Sequence, residues 1–366
     1  MRIFLIIGVI FFCSVPNAKG ESDSLAVGID AVVTKFMAKS KYTGLSIAAY
    51  NKGKMRFNQS YGYSNHTTLK PFTTHESIAL GSNIKTLVAA AILLLEENNK
   101  LKLTDKLAQH LPFKLNQAQA ITIEDMLCHV SDLPDVFGGD GYDDYEWQKA
   151  KSQKEFIDQL NQSKRKISPK VEYRYNNTAY FLLGLVIEHI SHQPLGDYFR
   201  AQIFSPLHLD HAYYLGDSYY YPQLTKMYQL KDGAIADYED PVEYRIVAGA
   251  GALGGDITAY SKLFSGILTG DVLAETSKTK MKTPCRLADG SFAVNRKKQQ
   301  TGLGIEISQM DDQRVFSRGG AMNGHVSAIV HFEKTGLTMA IVGNTFMRLA
   351  PVLDSIFEQK LHHQFN

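Results

Sequence analysis

The chain has 366 residues, of which 44% are hydrophobic and 21% are charged. This composition excludes a disordered or fibrous protein, and the length allows a large core or two lobes. Lys and Arg number 39 against 37 Asp and Glu, and removal of Arg2 and Lys19 with residues 1–20 leaves 39 − 2 = 37 against 37. A formally neutral chain implies no polyanionic partner, so we expect no nucleic-acid binding.

Residues 1–20 have the pattern of a signal peptide. A single charge at Arg2 precedes an apolar run, and the segment ends in a small-residue cleavage site. Cys13 follows Phe, where a lipoprotein signal requires Gly or Ala. We therefore expect an exported chain, periplasmic or secreted, without a membrane anchor after cleavage. Cys128 and Cys285 remain and permit one disulfide, although sequence alone does not establish that they meet.

The exported part opens with a helix and a hairpin. Amphipathic spacing predicts the helix over residues 24–39. Residues 44–50 and 54–63 have strand patterns, and the glycine-containing turn at 51–53 joins them. The sequence therefore predicts a helix packed on an antiparallel sheet.

A strongly apolar helix follows at residues 84–95, and its composition predicts burial on all sides. Ser82 and Lys85 stand three residues apart at its start, on one face of the first turn. A serine becomes a nucleophile when a base takes its proton, and a lysine is such a base when burial favours its neutral form. The helix N-terminus also favours an oxyanion there. The competing interpretation is an N-cap serine and a solvated lysine, which the apolar surroundings disfavour.

The middle third is predicted to be helical. Thr122 begins a near capping box for a short helix reaching residues 128–129, and further helices fit residues 152–162 and 178–192. The acidic, glycine-rich residues 135–145 suggest a cation site, but they lack the EF-hand spacing and are interpreted as a surface loop. Six tyrosines are expected to line a groove or the edge of the core, namely Tyr213, Tyr214, Tyr219, Tyr220, Tyr221 and Tyr228.

Strands return in the last third. Asp256 is predicted to cap an amphipathic helix over residues 257–268, and another amphipathic helix at 349–361 ends the chain. Four strand patterns lie between these helices, at residues 302–309, 314–318, 325–332 and 337–343.

Strands at both ends and helices between them predict an α/β fold, an antiparallel sheet flanked by helices with an inserted all-α lobe. We expect a single catalytic domain over residues 21–366. Its α/β lobe comprises about 21–95 and 250–366, and its all-α lobe about 96–249. The cleft between the lobes is the expected site.

Three segments resemble the serine β-lactamase and penicillin-binding-protein-like family, the branch with class C β-lactamases, D,D-carboxypeptidases and esterases. Residues 81–107 resemble its first motif and the helix that follows. Residues 121–134, ITIEDMLCHVSDLP, resemble its LLxHxSGLP segment, and residues 175–210 its YSNxxYxLLG…PLG segment. The motifs occur in the family's order, and the resemblance covers nearly the whole exported chain.

The resemblance assigns the family's second motif, YxN, to Tyr175-Asn176-Asn177. It implies that Tyr175 carries a proton to the leaving group. It also implies that Asn177 orients Lys85 and holds a substrate amide carbonyl.

The third motif departs from the family. Arg318-Gly319-Gly320 stands where Lys-Thr-Gly or His-x-Gly is usual, and we reject the literal Lys334-Thr335-Gly336 because it falls at a turn between strands. Gly319 and Gly320 suit a substrate that lies against the backbone. Arginine cannot relay protons, so Arg318 is expected to anchor a substrate carboxylate.

Two consequences follow for the catalytic groups. Proton transfer falls to Lys85 and Tyr175, and the N–H groups of Ser82 and Ala321 are expected to form the oxyanion hole.

Four other positions bear on the resemblance. Asp132 replaces the Gly of SGLP, and Gly255-Asp256 replaces a Ser-Thr helix start. His129 matches a family position and is interpreted as structural. His325 follows Asn-Gly in a strand, and we interpret it as a packing or surface residue rather than a cleft residue.

The expected function is an exported serine hydrolase that acts through an acyl-enzyme on an ester or amide. The alternatives are a D,D-carboxypeptidase or weak β-lactamase on peptidoglycan-type substrates, and a non-catalytic peptidoglycan-binding relative. The lack of GxSxG disfavours an α/β-hydrolase, and the lack of HExxH or clustered Cys and His disfavours a metallohydrolase. We expect a monomer with a small-molecule or peptide substrate, no cofactor and no metal.

Overall fold

The computed structural model describes residues 22–116, 118–135, 137, 152–217, 223–239 and 243–365. Three expectations lie wholly or partly outside the described residues. These are the signal peptide at 1–20, the acidic loop from 138 onward, and the tyrosines at 219, 220 and 221.

Strands lie mainly towards the two ends of the chain, and most of the helices lie between them. The described helices are α1 (Ser22–Lys39), α2 (Ile84–Glu97), α3 (Ile123–Leu127), α4 (Gln153–Gln162), α5 (Asn177–Ser191), α6 (Leu195–Phe199), α7 (Tyr244–Val247), α8 (Ile257–Thr269), α9 (Glu275–Met281) and α10 (Ala350–Glu358). The described strands are β1 (Gly44–Asn51), β2 (Lys54–Asn65), β3 (Lys70–Pro71), β4 (Ile78–Ala79), β5 (Ala212–Tyr214), β6 (Tyr228–Lys231), β7 (Ala234–Asp237), β8 (Leu253–Gly255), β9 (Gln300–Thr301), β10 (Glu306–Met310), β11 (Gln313–Met322), β12 (His325–Phe332) and β13 (Thr338–Gly343).

One antiparallel sheet of eight strands joins the two ends of the chain. Its order is β3-β2-β1-β13-β12-β11-β10-β9, and β1 pairs with β13 so that Ile47 lies opposite Ile341. Helices α1 and α10 pack on one face through residues such as Ile29 and Ile356. Helices α2 and α8 belong to the core on the other face. The prediction of an antiparallel sheet flanked by helices is confirmed.

Helix α2 is the central element of that second core. Every residue from Ile84 to Leu95 is buried, including Lys85 with no exposed surface. Leu and Ala dominate the segment, so helix propensity and all-round burial agree. The helix follows directly on a 3-10 turn at Gly81–Asn83, which carries Ser82.

Helices predominate over strands in the described part of the inserted region at 96–249, but the prediction that the region contains helices alone is wrong. It also contains β5, which pairs with β8, and the hairpin β6–β7. The hairpin turns at Asp232-Gly233, where both residues have positive φ. Asp-Gly is a strong hairpin signal, so the sequence does contain this feature.

Two of the predicted strands differ in extent from the observed ones. Strand β10 begins at Glu306 rather than at residue 302, because Gly302 and Gly304 turn the chain first; Gly304 has φ of +72°. Strand β11 continues past Arg318 to Met322, because β12 pairs with it as far as that residue. The capping predictions for α3 and α8 are confirmed by the side chains of Thr122 and Asp256.

A disulfide joins Cys128 to Cys285, with Cα atoms 5.9 Å apart. The bond connects the end of α3 with the segment that follows α9, and thus links the helical region to the sheet lobe. Within the described ranges, none of the helices combines the length and the apolar character needed to cross a bilayer.

The disulfide gives a stability prediction. Its two cysteines are 157 residues apart, so reduction, or the double change Cys128→Ser and Cys285→Ser, should lower the free energy of unfolding by about 2–5 kcal/mol. Denaturant unfolding with and without reductant measures this loss, and the double variant should not respond to reductant. Two free thiols in the unreduced, denatured chain lacking residues 1–20 would contradict the bond.

Candidate active site

Ser82 lies on a turn that is pressed against strand β11. Gly81 has φ of +56°, and a Cβ there would lie 2.7 Å from the carbonyl oxygen of Ala321. A Cβ on Gly320 would lie 2.0 Å from the carbonyl oxygen of Leu80. Both positions therefore require glycine, because any side chain would separate the turn from the strand.

Asn83 stabilises the same turn through buried hydrogen bonds. Its amide group donates to the carbonyl oxygen of Leu80 at 2.9 Å and to the hydroxyl of Ser327 at 2.7 Å. Its oxygen accepts from the Tyr260 hydroxyl at 2.6 Å. The side chain links α2 to β12 and α8, so Ser82 is held on a rigid support.

The Lys85 side chain lies beneath Ser82 and has three acceptors. Nζ donates to Ser82 Oγ at 3.2 Å, to Asn177 Oδ1 at 2.9 Å and to the carbonyl oxygen of Ala250 at 2.7 Å. These acceptors satisfy the three protons of an ammonium group. Burial lowers the pKa of Lys85, and Arg318 adds to that effect. The expectation that Ser82 and Lys85 share one face of the turn agrees with this geometry.

Tyr175 completes the group around Ser82. Its hydroxyl donates to Ser82 Oγ at 2.8 Å and accepts from Arg318 Nη2 at 3.2 Å. The ring is partly exposed, but the hydroxyl end lies among buried groups, with Lys85 Nζ 5.0 Å and Arg318 Cζ 5.3 Å from the ring centroid. Burial alone would raise the pKa of Tyr175, but the two positive charges outweigh it and lower the pKa. Tyr175 is therefore poised to lose a proton.

Asn177 is oriented by an acidic residue that the sequence analysis placed in a surface loop. Asp135 is buried and accepts from the backbone N–H of Asn177 at 3.1 Å and from its side-chain amide at 3.2 Å. It also accepts from the N–H and hydroxyl of Thr178, both at 3.2 Å. With its amide nitrogen turned to Asp135, Asn177 presents its oxygen to Lys85.

Arg318 does not have the role expected for it. The side chain is 1% exposed, and Nη1 forms an ion pair with Glu306 Oε1 at 2.8 Å. Its Nε donates to the carbonyl oxygen of Ser82 at 3.3 Å. Burial alone would lower the pKa of Arg318, but Glu306 and the neighbouring tyrosines, Tyr175 first among them, together raise it, so the guanidinium stays charged. A group already paired and buried is unsuited to anchor a substrate carboxylate, and that expectation is corrected.

The remaining third-motif residues lie along the edge of β11 beside the Ser82 turn. A Cβ on Gly319 would meet only the carbonyl oxygen of Ser327, at 3.8 Å, so this position borders open space. Ala321 is exposed, and its backbone nitrogen lies 2.8 Å from a Cβ placed on Gly81. Lys334-Thr335-Gly336 lies in the turn between β12 and β13, where Lys334 pairs with Asp312, as expected.

Both histidines are packing residues. His129 Nδ1 accepts from the Asn176 N–H at 3.0 Å, and its ring lies 4.6 Å from that of Tyr175. His325 Nδ1 accepts from the Ala79 N–H at 3.0 Å, and its other nitrogen contacts the carbonyl oxygen of Thr225 at 2.9 Å. Burial lowers the pKa of both, that of His325 to about 4, so they are neutral supports.

Asp132 explains how the chain tolerates the loss of a family glycine. Its φ is +55°, a conformation that favours Gly but also admits Asp. Its carboxylate pairs with Arg165 and accepts from the Ser168 N–H at 2.9 Å. The substitution thus adds an ion pair between two segments of the helical region.

Sequence reasoning missed two residues of the site, Asp135 and Glu306. The first stands directly after the LLxHxSGLP-like segment and the second in the strand beside the third motif. The sequence offered two signals, an acidic residue directly after that segment and an arginine whose burial would require a counter-charge. Neither signal identifies the partner residue without the fold.

The comparisons with known proteins agree with this geometry. Residues 29–357 match the family model described as Beta-lactamase. The chain belongs to the Beta-lactamase family. It is a serine hydrolase of that family, whose members act through an acyl-enzyme.

Its relatives include penicillin-binding proteins. Over 325 residues it is 25% identical to Penicillin-binding protein 4* of Bacillus subtilis (strain 168), which covers 84% of this chain and 69% of that protein. It is 29% identical over 199 residues to Protein flp of Staphylococcus aureus (strain NCTC 8325 / PS 47). That match covers 52% of this chain and 39% of Protein flp, so it spans well under half of that relative.

Solved structures of three kinds of protein have the same fold. A penicillin binding protein from Bacillus halodurans has a TM-score of 0.76 at 21% identity, covering 90% of this chain and 98% of that one. D-amino acid amidase from Ochrobactrum anthropi SV3, complexed with L-phenylalanine, has a TM-score of 0.77 at 20% identity, covering 92% and 99%. EstCE1, a hydrolase with promiscuous acyltransferase activity, has a TM-score of 0.77 at 18% identity with the same coverage. At these identities the likeness establishes the fold.

The contacts of Asp135 predict an indirect effect on turnover. Asp135→Asn places a side-chain amide against the N–H donors of Asn177 and Thr178, so Asn177 should lose its orientation. We expect kcat to fall about 10- to 100-fold, the equivalent of roughly 1.5 to 3 kcal/mol. Asp158→Asn, in an exposed helix pair with Lys154, is the control and should leave kcat unchanged. Steady-state kinetics with a thermal melt of each variant tests this, and unchanged kcat in Asp135→Asn would contradict it.

The charge of Arg318 predicts a pH effect. If ionised Tyr175 is the base, kcat/KM should rise with pH through the pKa of Tyr175, which Lys85 and Arg318 lower. The double change Arg318→Gln and Glu306→Gln keeps the buried net charge unchanged but removes the nearby cation. The rising limb of the kcat/KM profile should then move by about 1 pH unit or more to higher pH, because a positive charge within about 6 Å of the Tyr175 ring is lost.

A matched control for this test exists on the same strand. Arg314 and Glu333 form a half-buried ion pair at 2.7 Å. Changing both residues to Gln should leave the rising limb of the pH profile in place. If both double variants keep the wild-type pH profile, Arg318 does not lower the pKa of Tyr175.

Proposed function

We propose that the chain is an exported serine hydrolase in which Ser82 is the nucleophile, Tyr175 moves the protons, and Lys85 stabilises the ionised form of Tyr175. The observation that carries this proposal is the position of Ser82 Oγ, 2.8 Å from the Tyr175 hydroxyl and 3.2 Å from Lys85 Nζ. Both distances lie within the reach of a general base.

The proposed reaction proceeds in two halves. Ser82 Oγ attacks the substrate carbonyl carbon while ionised Tyr175 takes the hydroxyl proton, and Tyr175 then gives that proton to the leaving group. Water next attacks the acyl-enzyme, Tyr175 takes a proton from this water, and the proton returns to Ser82 as its bond to the acyl group breaks. Lys85 and Arg318 stabilise the ionised phenol in both halves.

The carbonyl oxygen becomes negative in each half and needs hydrogen-bond donors. The N–H groups of Ser82 and Ala321 are the proposed donors. The close approach of Gly81 to Ala321 supports this assignment, because it brings the turn and the strand edge together.

The third motif supports a substrate without a carboxylate beside the scissile bond. Arg318 is occupied by Glu306, and Gly319 has no hydroxyl where the family has threonine. We therefore propose a neutral ester or amide as the substrate. The similarity to Penicillin-binding protein 4* favours a second candidate, a β-lactam or a peptidoglycan-type peptide.

Export is supported by two features from different parts of the chain. Residues 1–20 have the signal-peptide pattern, and Cys128 and Cys285 form a disulfide. Disulfides persist in oxidising compartments such as the periplasm and the extracellular space. The proposed location is therefore periplasmic or secreted.

Active-site labelling tests the nucleophile and the substrate class together. The wild-type chain is incubated separately with a fluorophosphonate, a p-nitrophenyl ester panel and a fluorescent penicillin, and intact mass is recorded. We expect one fluorophosphonate adduct at Ser82 and turnover of neutral esters, but slow or no labelling by penicillin. Rapid penicillin labelling would favour the second candidate.

Ser82→Ala is the decisive variant in this experiment. It should remove the adduct and lower turnover by about 10³-fold or more, with an unchanged thermal melt. Ser205→Ala, at an exposed serine of the helical region, is the control and should behave as wild type. Normal turnover by Ser82→Ala would show that Ser82 only begins the helix, and an inert wild type would indicate a non-catalytic relative.

A further inference from the structure

A cluster of possible metal ligands lies away from the active site, where the C-terminal segment meets a hairpin. Asp311 lies in the tight turn between β10 and β11, with φ of +52°. His362 and His363 lie on the 3-10 helix Leu361–Phe365 that follows α10. One ligand atom from each of the three residues lies within 4.8 Å of the others.

The two imidazoles converge on one carboxylate oxygen. His362 Nε2 lies 3.3 Å and His363 Nε2 2.9 Å from Asp311 Oδ2. Two ligand atoms on one tetrahedral Zn²⁺ lie about 3.3 Å apart, because each bond is roughly 2.0 to 2.1 Å long. The two distances to Asp311 Oδ2 are therefore close to those of a zinc site, and all three ligand atoms lie within 4.8 Å of one another.

His362 is held in place by packing rather than by hydrogen bonds. Its side chain is 4% exposed, and its ring stacks on Phe332 at 5.0 Å and lies edge-on to Phe357 at 5.2 Å. Its buried Nδ1 has no hydrogen-bond partner among the described residues. Asp311 Oδ2 is thus the hydrogen-bond contact of this buried imidazole, and it is shared with His363.

We propose that Asp311, His362 and His363 bind a divalent transition metal, with Zn²⁺ as the best match to the ligands. Two imidazoles and one carboxylate are a usual zinc set, and a water would take the fourth position. The site opens into a cavity of about 260 Å³ bordered also by Asp312, Lys334 and Thr335, which leaves room for that water. No metal was expected from the sequence, because it lacks HExxH and clustered Cys and His.

The protonation of these groups suits a metal. Burial and the neighbouring His363 lower the pKa of His362, which favours the neutral imidazole. Hydrogen bonds from His363 and His362 lower the pKa of Asp311, so its carboxylate is ionised. A metal requires both of these states.

The consequence of binding would be structural. The C-terminal segment is already tied to β1, because Asn51 donates to the carbonyl oxygen of Phe365 at 2.8 Å. A metal would tie the same segment to the β10–β11 turn as well. A ligand that binds only the folded chain stabilises it, so Zn²⁺ should raise the melting temperature.

Titration of the untagged chain with ZnCl₂, followed by calorimetry, tests the proposal. We expect one Zn²⁺ per chain, a higher melting temperature with Zn²⁺, and a tetrahedral visible spectrum when Co²⁺ replaces it. His363→Ala and Asp311→Asn should each weaken binding by about 10-fold or more and abolish the thermal shift. Both residues are partly exposed, so neither change should unfold the chain, which circular dichroism checks.

His189→Ala is the matched control. His189 and His192 form another histidine pair on the helical region, with ring centroids 6.4 Å apart, and this change should leave Zn²⁺ binding unaltered. No one-to-one binding in the wild type, or equal affinity in wild type, His363→Ala and Asp311→Asn, would overturn the proposal. Loss of binding in His189→Ala alone would place the metal elsewhere and overturn it too.

Discussion

The burial of the Lys85 ammonium group is the constraint on which the rest of the site depends. An unpaired charge inside a protein costs several kcal/mol, so each of its protons needs an acceptor. The acceptors come from three separate segments, namely the Ser82 turn, Asn177 at the start of α5, and the carbonyl oxygen of Ala250. Satisfying one cation therefore holds α2, α5 and the segment before β8 in a single arrangement.

The site contains a second buried cation, Arg318. Tyr175 lies between Lys85 and Arg318, and Glu306 compensates the charge of Arg318 from the neighbouring strand. Arginine in the third motif thus faces inward to the phenol instead of outward to a substrate. The departure from the family pattern changes what the motif contacts. Lys85 and then Arg318 lower the pKa of Tyr175, and the ion pair with Glu306 leaves no free guanidinium at Arg318.

Much of the fold and part of the site follow from sequence alone. The apolar composition of α2 is sufficient to predict its burial, because no face of it is polar. The spacing of Ser82 and Lys85 places them on one face of a turn, and Thr122 and Asp256 are recognisable caps. Such features are local, so they depend on a few neighbouring residues and on periodicity. The three family-like segments, which occur in the family's order along the chain, add support for the two-lobe arrangement.

What only the tertiary structure decided is which distant groups meet. Asp135 appeared to belong to a surface loop, yet it orients Asn177 because the chain brings it to the start of α5. Glu306 is 12 residues from Arg318 in sequence, and the pairing of β10 with β11 brings them together. The sequence by itself determined the helices, the sheet, the family and the Ser-Lys-Tyr set. The partners of the buried charges were decided by folding, because a buried charge needs hydrogen-bond acceptors or a counter-charge, and the topology determines which ones lie beside it.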